Sequence, residues 1–426
     1  MNHIFDYIMI PIQLIIIFFT LYYFILAFFG LWRRKENKIL IPEKTFAVIV
    51  AAHNEENVIV QLIENLHVLN YPRELYDIFV VADNCTDSTA QLSRKAGAIV
   101  HERFNDEDKG KGYAMEWMFA KLFRMKRKYA AVVIFDADNL VHPNFLLEMN
   151  NRLCKGEQVI QGYLDAKNPN DTWVSGTFAI SFWLINHIWH LAKYNLGLSS
   201  ALGGTGMCIS TKVLQEFGWG ATCLTEDLEF TMKVLLKGIR TTWAHEAIVY
   251  DEKPLTFKQS WNQRRRWSQG HFDVAGRYIP QLLYQGIKRH DWRLLDGVLQ
   301  LLQNHFLLMS TFFVIMSYFN PMFHLYTDIL VTIIPYQVWS IIAVGQYAFP
   351  ILVLAIIRAR PKSWLYLIVY PVFVYSQIPI SMLGFLHRKE RVWSHTQHTR
   401  SISYQEVVLA AESEEFPKEN FQIAGK

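Results

Sequence analysis

The chain has 426 residues, of which 51% are hydrophobic and 15% aromatic, while only 19% are charged. Soluble globular proteins usually carry about 25% charged residues, so this composition argues against a purely cytosolic enzyme. It also excludes a disordered chain, which needs low hydrophobicity and high charge. The net charge of +4 is too small to imply a nucleic-acid partner. Because the length exceeds that of one compact core, we expect at least two structural units.

An almost uncharged stretch at residues 7–31 opens the chain. As a helix it is long enough to cross a hydrocarbon layer of about 30 Å. It is too long for the apolar region of a signal peptide, and no basic segment precedes it. Arg33, Arg34 and Lys35 follow directly, and the positive-inside rule places the next domain in the cytoplasm. We therefore predict an N-terminal transmembrane helix and linker over residues 1–43.

Between residues 44 and 252 the composition becomes that of a soluble α/β domain. Short β-branched runs alternate there with amphipathic segments of helix length. The strands are predicted at 46–52, 77–83 and 129–138, and the helices at 57–68, 87–96, 111–127 and 144–153. This alternation predicts a parallel sheet. Ligands of such sheets bind at the carboxyl ends of the strands, so the residues after each strand are candidate site residues.

The rest of the chain divides into an amphipathic stretch, a second apolar region and a polar tail. Residues 253–297 are rich in Trp, Arg and Phe and too charged to span a membrane, and their apolar spacing predicts helices in the membrane interface. Residues 298–386 form the C-terminal transmembrane region, and residues 387–426 the tail. The predicted location is a cell membrane crossed several times, with the α/β domain in the cytoplasm.

The C-terminal region contains three apolar blocks, 301–319, 329–357 and 364–386. The middle block would be about 43 Å long as a helix, too long for one straight crossing and too short for two. Pro335 and Pro350 are candidates to break it. Basic residues flank the last block on both sides, and both groups cannot be cytoplasmic if that block simply crosses. Either it re-enters or the middle block is a broken hairpin; we favour a cytoplasmic tail.

Polar side chains follow the first two predicted strands. Glu55 comes shortly after the first strand, and Asp83 ends the second. Polar groups at neighbouring strand ends suit a nucleotide pocket, in which a carboxylate accepts hydrogen bonds from uracil N–H or ribose hydroxyl groups. Asp87, by contrast, stands where the N-cap of the next helix is expected.

Two carboxylates, Asp136 and Asp138, leave the third predicted strand. A D-x-D pattern alone is weak evidence, and another at 106–108 is interpreted as a solvated loop. Two carboxylates at the exit of a buried strand are unfavourable unless they are paired or bind a metal. Their hard oxygen atoms suit Mg²⁺ or Mn²⁺, which bind through one or two carboxylates plus substrate phosphates.

Thr225, Glu226 and Asp227 begin a predicted helix after the Gly-rich residues 203–206. A carboxylate on the end of a helix is well placed to act as a general base. Capping and the helix dipole favour the same residue types at this position. Taken alone, the triplet favours capping.

The most specific element is QRRRW at residues 263–267. On a helix, Gln263, Arg266 and Trp267 share one face, which offers an amide, a guanidinium for phosphate and an indole for stacking on a sugar ring. The alternative interpretation is a basic amphipathic helix that rests on anionic lipid. Arg264 and Arg265 point away from the first face and suit that contact.

The ordered motifs AAHNEE, ADNCTD, GKGYA, FDADN, TEDLE and QRRRW, followed by apolar helices, resemble those of the membrane-embedded family 2 glycosyltransferases. This family includes hyaluronan, cellulose, chitin and poly-N-acetylglucosamine synthases. The resemblance spans about residues 47–267. It implies a GT-A fold, a Rossmann-like α/β domain that binds nucleotide-diphospho-sugars.

The resemblance also implies how the donor is held. Glu55 and Asp83 would contact the uridine, and Lys111 of the GKG motif would contact the diphosphate. Asp136 and Asp138 would bind the donor sugar and the metal ion, Mg²⁺ or Mn²⁺.

Further roles that the resemblance implies concern catalysis and the acceptor. Asp227 would be the general base for the acceptor hydroxyl, supported by Glu226. Gln263, Arg266 and Trp267 would contact the diphosphate and the acceptor sugar at the membrane.

The expected function is that of an inverting membrane glycosyltransferase that uses a UDP-sugar, UDP-GlcNAc or UDP-Glc, to build a β-linked glycan and pass it across the bilayer. One base and a direct displacement invert the anomeric centre, so an α-linked donor gives a β-linked product. The alternative is a single addition to a lipid acceptor, such as diacylglycerol or a polyprenyl phosphate. An inactive membrane scaffold is disfavoured because every candidate carboxylate is present.

Overall fold

The computed structural model describes residues 5–38, 41–221, 223–390 and 400–412. It begins with helix α1, Asp6–Phe28, which corresponds to the predicted N-terminal apolar stretch. An α/β unit follows. Its elements in chain order are β1 Phe46–Ala52, α2 Ile59–His67, a 3-10 turn Arg73–Leu75, β2 Tyr76–Asp83, α3 Thr89–Lys95, β3 Ile99–Arg103, α4 Lys111–Arg124, β4 Ala131–Asp136, β5 Leu140–Val141, α5 Phe145–Cys154, β6 Val159–Ala166, α6 Trp173–Leu184, a π-helical segment Ile185–Leu191, α7 Ala192–Leu196, β7 Met207–Ser210, α8 Thr211–Phe217, α9 Glu226–Leu236 and β8 Thr241–Asp251.

The eight strands form one mixed sheet in the order β3-β2-β1-β4-β7-β6-β8-β5. Strands β1 to β4 are parallel to their neighbours in this set, and β6 is parallel to β8. Strand β7 is antiparallel to both β4 and β6. The start of β7 therefore lies at the edge of the sheet where β1 to β4, β6 and β8 end. The predicted α/β fold class is confirmed.

The two faces of the sheet are covered by different helices because side chains alternate along each strand. In β1, Phe46, Val48 and Val50 belong to the core that contains α2 and α5. Ala47 and Ile49 belong to the core that contains α4, α8 and α9. This double burial explains why the central strands read as continuous apolar runs, as parallel strands usually do.

Helices make up the rest of the described chain. They are α10 Phe257–Arg289, α11 Trp292–Leu301, α12 Gln303–Phe323, α13 Leu330–Ile333, α14 Tyr336–Ile356, α15 Pro361–Leu365, a 3-10 turn Tyr366–Ile368, α16 Tyr370–Tyr375, α17 Gln377–Leu386 and α18 Tyr404–Glu412.

Within the described residues, three helices are long and apolar enough to cross a membrane: α1, α12 and α14. The helices from Pro361 to Leu386 form a fourth unit that is bent by 58°, as in a broken span or a re-entrant loop. Pro335 separates α13 from α14, whereas Pro350 lies inside α14. The ambiguous middle block thus contains one helix of spanning length. Of the predicted tail, residues 391–399 and 413–426 lie outside the described residues.

Candidate active site

Lys111 and Asp136 meet at the carboxyl edge of the sheet. Lys111 is the first residue of α4, and Asp136 is the last residue of β4. The Lys111 ammonium donates to the Asp136 carboxylate and, at 2.7 Å, to the carbonyl oxygen of Gly204. Burial lowers the pKa of Lys111, but the nearby carboxylates of Asp136, Glu226 and Asp227 outweigh burial and raise it. Lys111 is therefore held as a cation among these carboxylates.

The Gly-rich residues 203–206 reach this edge because β7 runs against its neighbours. Gln161, a buried residue of β6, fixes them from below. Its Oε1 accepts from the Gly203 N–H at 2.8 Å, and its Nε2 donates to the Thr205 carbonyl at 2.9 Å. Gly204 and Gly206 have φ values of +83° and +61°, which residues other than glycine rarely adopt. The glycines thus bring a bare backbone into the site.

The two DxD carboxylates have different surroundings. The Asp138 side chain is buried, and its Oδ2 accepts from the Glu252 N–H at 2.9 Å. The Asp136 carboxylate is more exposed. The main-chain N–H of Asp136 donates to Asn139 Oδ1 at 3.0 Å and to Thr205 Oγ1 at 3.2 Å. These hydrogen bonds fix the turn after β4, so that both carboxylates have defined positions.

The donor set at Asp136 and Asp138 fits a Mg²⁺ or Mn²⁺ ion that is shared with a substrate. Across the described ranges, no group of three or more His, Cys, Asp or Glu side chains could hold a metal ion. A complete protein cage is therefore not present there. Magnesium typically binds through one or two carboxylates and takes its other ligands from water and substrate phosphates, and the two aspartates meet that requirement.

Glu226 and Asp227 lie in the first turn of α9, beside the Gly-rich loop. A side chain added at Gly112 would meet Glu226 at 3.4 Å, and one added at Gly204 would meet Asp227 Oδ2 at 3.5 Å. Burial raises the pKa of both carboxyl groups; the charge of Asp227 raises that of Glu226 further, while Lys111 opposes both shifts. Both carboxylates are therefore stronger proton acceptors than exposed carboxylates.

The capping interpretation of this triplet is not supported by Thr225. Thr225 stands at the N-cap position of α9, yet its side chain makes no capping hydrogen bond. Instead, it packs against α10, where a side chain added at Gly270 would lie 2.5 Å from Thr225 Oγ1. The triplet therefore joins the start of α9 to the helix that carries QRRRW.

Helix α10 brings Arg266 and Trp267 to the site. Arg266 interacts electrostatically with Glu226, Asp136 and Asp227, which raise its pKa against the larger effect of burial. Trp267 contacts the ring of Phe178 on α6 at a centroid distance of 5.9 Å. One side of α10 thus faces the carboxylates. The rings of Trp267 and Phe178 form an aromatic wall between α10 and α6.

Gln263 and Arg265 of this helix differ in their exposure to solvent. Gln263 Oε1 is buried and has no hydrogen-bond partner among the described residues. Arg265 is exposed. A buried acceptor without a partner is unfavourable unless a ligand supplies a donor, so Gln263 suits contact with a bound polar group.

The prediction that Arg264 rests on lipid is wrong. Arg264 is only 5% exposed and packs against the bent unit of the membrane region. Its guanidinium donates to the Phe373 carbonyl at 3.0 Å and to Ser376 Oγ at 2.9 Å, and it lies 4.0 Å from the centre of the Phe373 ring. The guanidinium is thus held by oxygen atoms of Phe373 and Ser376, at the junction of α16 and α17.

Glu55 and Asp83 lie at the ends of β1 and β2, next to each other in the sheet. The Asp83 carboxylate accepts from Arg103 at 2.6 Å. Burial raises the pKa of Asp83, and Arg103 opposes that shift. Glu55 is buried, and its N–H donates to Thr89 Oγ1 at 2.8 Å. Arg103 thus fixes the Asp83 carboxylate, and Thr89 fixes the main chain at Glu55.

Sequence reasoning missed three cations at this edge: Arg103, Lys167 and Lys253. Arg103 ends β3, Lys167 follows β6, and Lys253 follows β8. Lys167 Nζ donates to the Asp138 carbonyl at 2.8 Å, and Lys253 pairs with Asp251 at 2.6 Å. Each one stands at or just after the end of a strand, so the rule that selected the carboxylates could have selected these cations as well.

Comparison with known proteins agrees with the motif order. Residues 42–270 match the family model described as glycosyltransferase like family 2. The chain belongs to this family. A mannosyltransferase from Pyrobaculum calidifontis, solved with GDP-Man and Mn²⁺, superposes with a TM-score of 0.58 at 16% identity and covers 91% of this chain and 99% of its own. The GT-A fold is thereby confirmed.

Curated relatives of the family are similar over part of their length. The probable glycosyltransferase YdaM of Bacillus subtilis is 27% identical over 61% of both chains. The β-monoglucosyldiacylglycerol synthase of Nostoc is 27% identical over 53% of this chain and 48% of its own. For the poly-β-1,6-N-acetyl-D-glucosamine synthase of Staphylococcus aureus, the values are 23%, 53% and 54%. The chain thus spans about half to three fifths of the length of these three relatives.

Proposed function

We propose that this family 2 glycosyltransferase transfers a sugar from a UDP-sugar, UDP-GlcNAc or UDP-Glc, to the hydroxyl group of a growing β-linked glycan, and passes the product across the membrane. One observation supports this most directly. Lys111, Asp136, Asp227 and Arg266 converge on one strand edge, beside an aromatic wall that contains Trp267. The site therefore combines cations for a diphosphate, a base and a surface for stacking on a sugar ring.

In this proposal, Asp227 accepts the proton of the acceptor hydroxyl, and Glu226 shares its charge. Lys111 and Arg266 stabilise the negative charge that develops on the departing diphosphate. Glu55 and Asp83 hold the nucleoside at the ends of β1 and β2. Direct displacement by one hydroxyl inverts the anomeric centre, which gives a β-linked product from an α-linked donor.

Asp136 and Asp138 are the residues that would hold Mg²⁺ or Mn²⁺. When bound, the ion would supply positive charge next to the diphosphate. Because its remaining ligands would come from the donor, its affinity depends on the presence of the UDP-sugar.

A second candidate function is a single sugar addition to a lipid acceptor. The spanning-length windows of α1, α12 and α14 are only 22%, 6% and 24% buried, so these helices pack sparsely against the rest of the protein. A lipid acceptor would approach from the bilayer and would need no channel. The similarity to a β-monoglucosyldiacylglycerol synthase supports the same candidate.

An assay of product class tests the proposal. Purified protein in detergent, with Mn²⁺ and diacylglycerol, is incubated with radiolabelled UDP-GlcNAc or UDP-Glc, and the label is followed into polymer and into chloroform-extractable lipid. We expect label in polymer. Label in lipid alone would reject glycan synthesis and support the second candidate, whereas no transfer from either donor would contradict both.

We further propose that the chain crosses the membrane three times, through α1, α12 and α14, with the α/β unit and the tail in the cytoplasm. Both ends of the bent unit contact the α/β unit or α10. Lys362 Nζ donates to the Asn170 carbonyl at 2.6 Å, and Gln269 Nε2 donates to the His387 carbonyl at 3.2 Å. The bent unit would therefore re-enter, which allows the basic residues on both of its sides to be cytoplasmic.

The start of the tail supports the same topology. The Arg400 guanidinium contacts the Asp171 carboxylate at 3.1 Å, and the main-chain N–H of Arg400 donates to the Glu252 carboxylate at 3.1 Å. Its carbonyl oxygen accepts from Lys167, the lysine that also binds the Asp138 carbonyl. A tail that contacts the α/β unit cannot lie on the other side of the bilayer.

Reporter fusions in a bacterial host test this topology. Alkaline phosphatase fused after Lys426 is expected to be inactive, because the enzyme needs an extracytoplasmic location, while green fluorescent protein fused at the same point should fluoresce. Fusion after His324, between α12 and α14, is the matched control and should give active phosphatase. An active phosphatase after Lys426 would mean that the bent unit is a fourth crossing.

A further inference from the structure

Two adjoining hollows lie directly after the first membrane helix, in a region that the proposed transfer reaction does not use. Their volumes are about 490 Å³ and 440 Å³. The linker that follows α1 forms one wall, and residues of α5, α7 and β8 form the others. Residues common to both hollows are Arg34, Lys35, Glu36, Asn37, Tyr194 and Asn195. We call the combined space the linker hollow.

Positive charge dominates the linker hollow. Its three carboxylates are Glu36, Glu148 and Glu246. Against these stand seven cations, namely Arg33, Arg34, Lys35, Lys38, Arg152, Lys155 and Arg240. The excess of cations equals the net charge of the whole chain, +4. The linker hollow therefore carries a local excess of four cations over carboxylates.

The carboxylates are already paired with some of these cations. Glu36 contacts Arg152 at 3.0 Å and Lys155 at 2.9 Å, and Glu148 contacts Lys38 at 2.6 Å. Arg33 and Lys38 both pair with Glu246. Each carboxylate thus has at least one cationic partner.

Three cations of the linker hollow remain available. Among the described residues, Arg34, Lys35 and Arg240 pair with no carboxylate, and Arg34 and Lys35 belong to both hollows. Arg34 and Lys35 are exposed and Arg240 is half-buried, so all three can contact an anion that enters the hollow.

The buried walls also contain polar atoms without a partner. Asn195 is 4% exposed, and its Nδ2 donates to the carbonyls of Phe29 and Trp32 at 2.7 and 3.0 Å, which fixes the linker. Its Oδ1 has no hydrogen-bond partner within the described ranges, and neither has Nε of the buried Arg152. Buried polar atoms are normally satisfied, so these two indicate a bound polar group or ordered water.

The position of the hollow identifies the source of the anion. Helix α1 ends at Phe28, and Trp32, which is 50% exposed, follows where the proposed crossing would leave the bilayer. Tryptophan is typical of the headgroup level of a membrane. An anion at this depth is most readily supplied by the bilayer itself.

We propose that the linker hollow binds the phosphodiester headgroup of an anionic phospholipid. Arg34, Lys35 and Arg240 neutralise the phosphate, while Asn195 accepts from a headgroup hydroxyl. The lipid fastens the linker between α1 and the α/β unit and so stabilises the folded chain. This site is separate from the strand edge that contains Asp136; it rests on the proposed crossing by α1 and does not depend on the proposed sugar transfer.

The test uses the full chain in a neutral detergent. Thermal unfolding is measured in mixed micelles that contain phosphatidylglycerol or phosphatidylcholine. We expect phosphatidylglycerol to raise Tm by about 3 °C or more relative to phosphatidylcholine, since ligands that bind only the folded state stabilise it. The triple variant R34Q/K35Q/R240Q should lose this difference, even if its own Tm in phosphatidylcholine is lower.

Two further variants and one salt make the outcome decisive. The control K95Q/R124Q/K126Q removes the same charge from exposed residues elsewhere and should keep the phosphatidylglycerol effect. R34K/K35R keeps the charge and should keep it too. An equal effect in the triple variant and the wild type would overturn the proposal. Inorganic phosphate that reproduces the full shift in pure detergent would assign the site to free phosphate and overturn the lipid assignment.

Discussion

Asp227→Asn is expected to abolish sugar transfer while leaving UDP binding nearly unchanged. An amide cannot accept the proton of the acceptor hydroxyl, although it fills the same space beside Gly204. General bases contribute about 10²–10⁴-fold to rates, so kcat should fall by about that factor. The rate of UDP release measures transfer, and calorimetric titration with UDP measures binding.

Asp106→Asn is the matched control for this change, since its fully exposed carboxylate lies in the charged loop before α4. It should turn over at the wild-type rate. Glu226→Gln should reduce kcat less than Asp227→Asn, because Glu226 supports the base and does not replace it. Full turnover by Asp227→Asn would refute the assignment, and a larger loss in Glu226→Gln would transfer the role to Glu226.

The pH dependence of the reaction follows from the same pair. Burial raises the pKa of both carboxyl groups above the ordinary values of about 3.9 for aspartate and about 4.3 for glutamate. The base is active only when ionised, so kcat/KM should rise with pH through this elevated pKa. The rise should occur at a higher pH than it would for an exposed aspartate. For stability the sign is opposite: the folded state favours the protonated form, and that stabilisation is lost as pH rises through the folded pKa.

The second large effect is expected at a buried ion pair that joins three parts of the chain. Lys193 of α7 contacts Asp296 of α11 at 2.9 Å, and both side chains are almost fully buried. Tyr22 of α1 donates to the same carboxylate, and Gln300 accepts from Lys193 at 2.8 Å. Asp296→Ala would leave the ammonium buried without its counter-charge, and we expect it to lower the free energy of unfolding by about 3–5 kcal/mol.

Unfolding of the variant in detergent, by heat or by denaturant, measures this loss. The double variant K193M/D296L should recover most of it, because apolar side chains of similar size avoid the desolvation of two charges. The matched control is Glu102→Ala, which breaks the exposed pair with Arg94 and should cost less than about 1 kcal/mol. Equal losses in Asp296→Ala and Glu102→Ala would show that the buried pair contributes little.

The α/β unit was predictable because its information is local. Strands β1 and β2 coincide with the predicted runs to within one residue, since continuous β-branched segments bounded by polar residues suit only a doubly covered strand. The edge for the site also followed, since side chains at the carboxyl ends of parallel strands meet there. The order of the motifs was sufficient for the family.

Other features depend on contacts between residues that are far apart in the chain. No local pattern distinguishes Arg264, which is buried against the bent unit, from Arg265, which is exposed. Arg103 and Lys167 stand at strand ends, as the carboxylates do, but only the fold shows that Arg103 contacts the Asp83 carboxylate and Lys167 the Asp138 carbonyl. The basic residues on both sides of the last apolar block gave contradictory topologies, and the proposed re-entry rests on the contacts of its two ends with Asn170 and Gln269.

The sequence by itself therefore determined the α/β unit, the candidate carboxylates and the helices long enough to cross a bilayer, because composition, periodicity and strand ends are properties of short segments. The tertiary structure decided which charges are paired, which residues contact the two ends of the bent unit and the start of the tail, and which cations line the linker hollow. Coulomb and hydrogen-bond energies depend on distances in space, and sequence separation does not fix those distances.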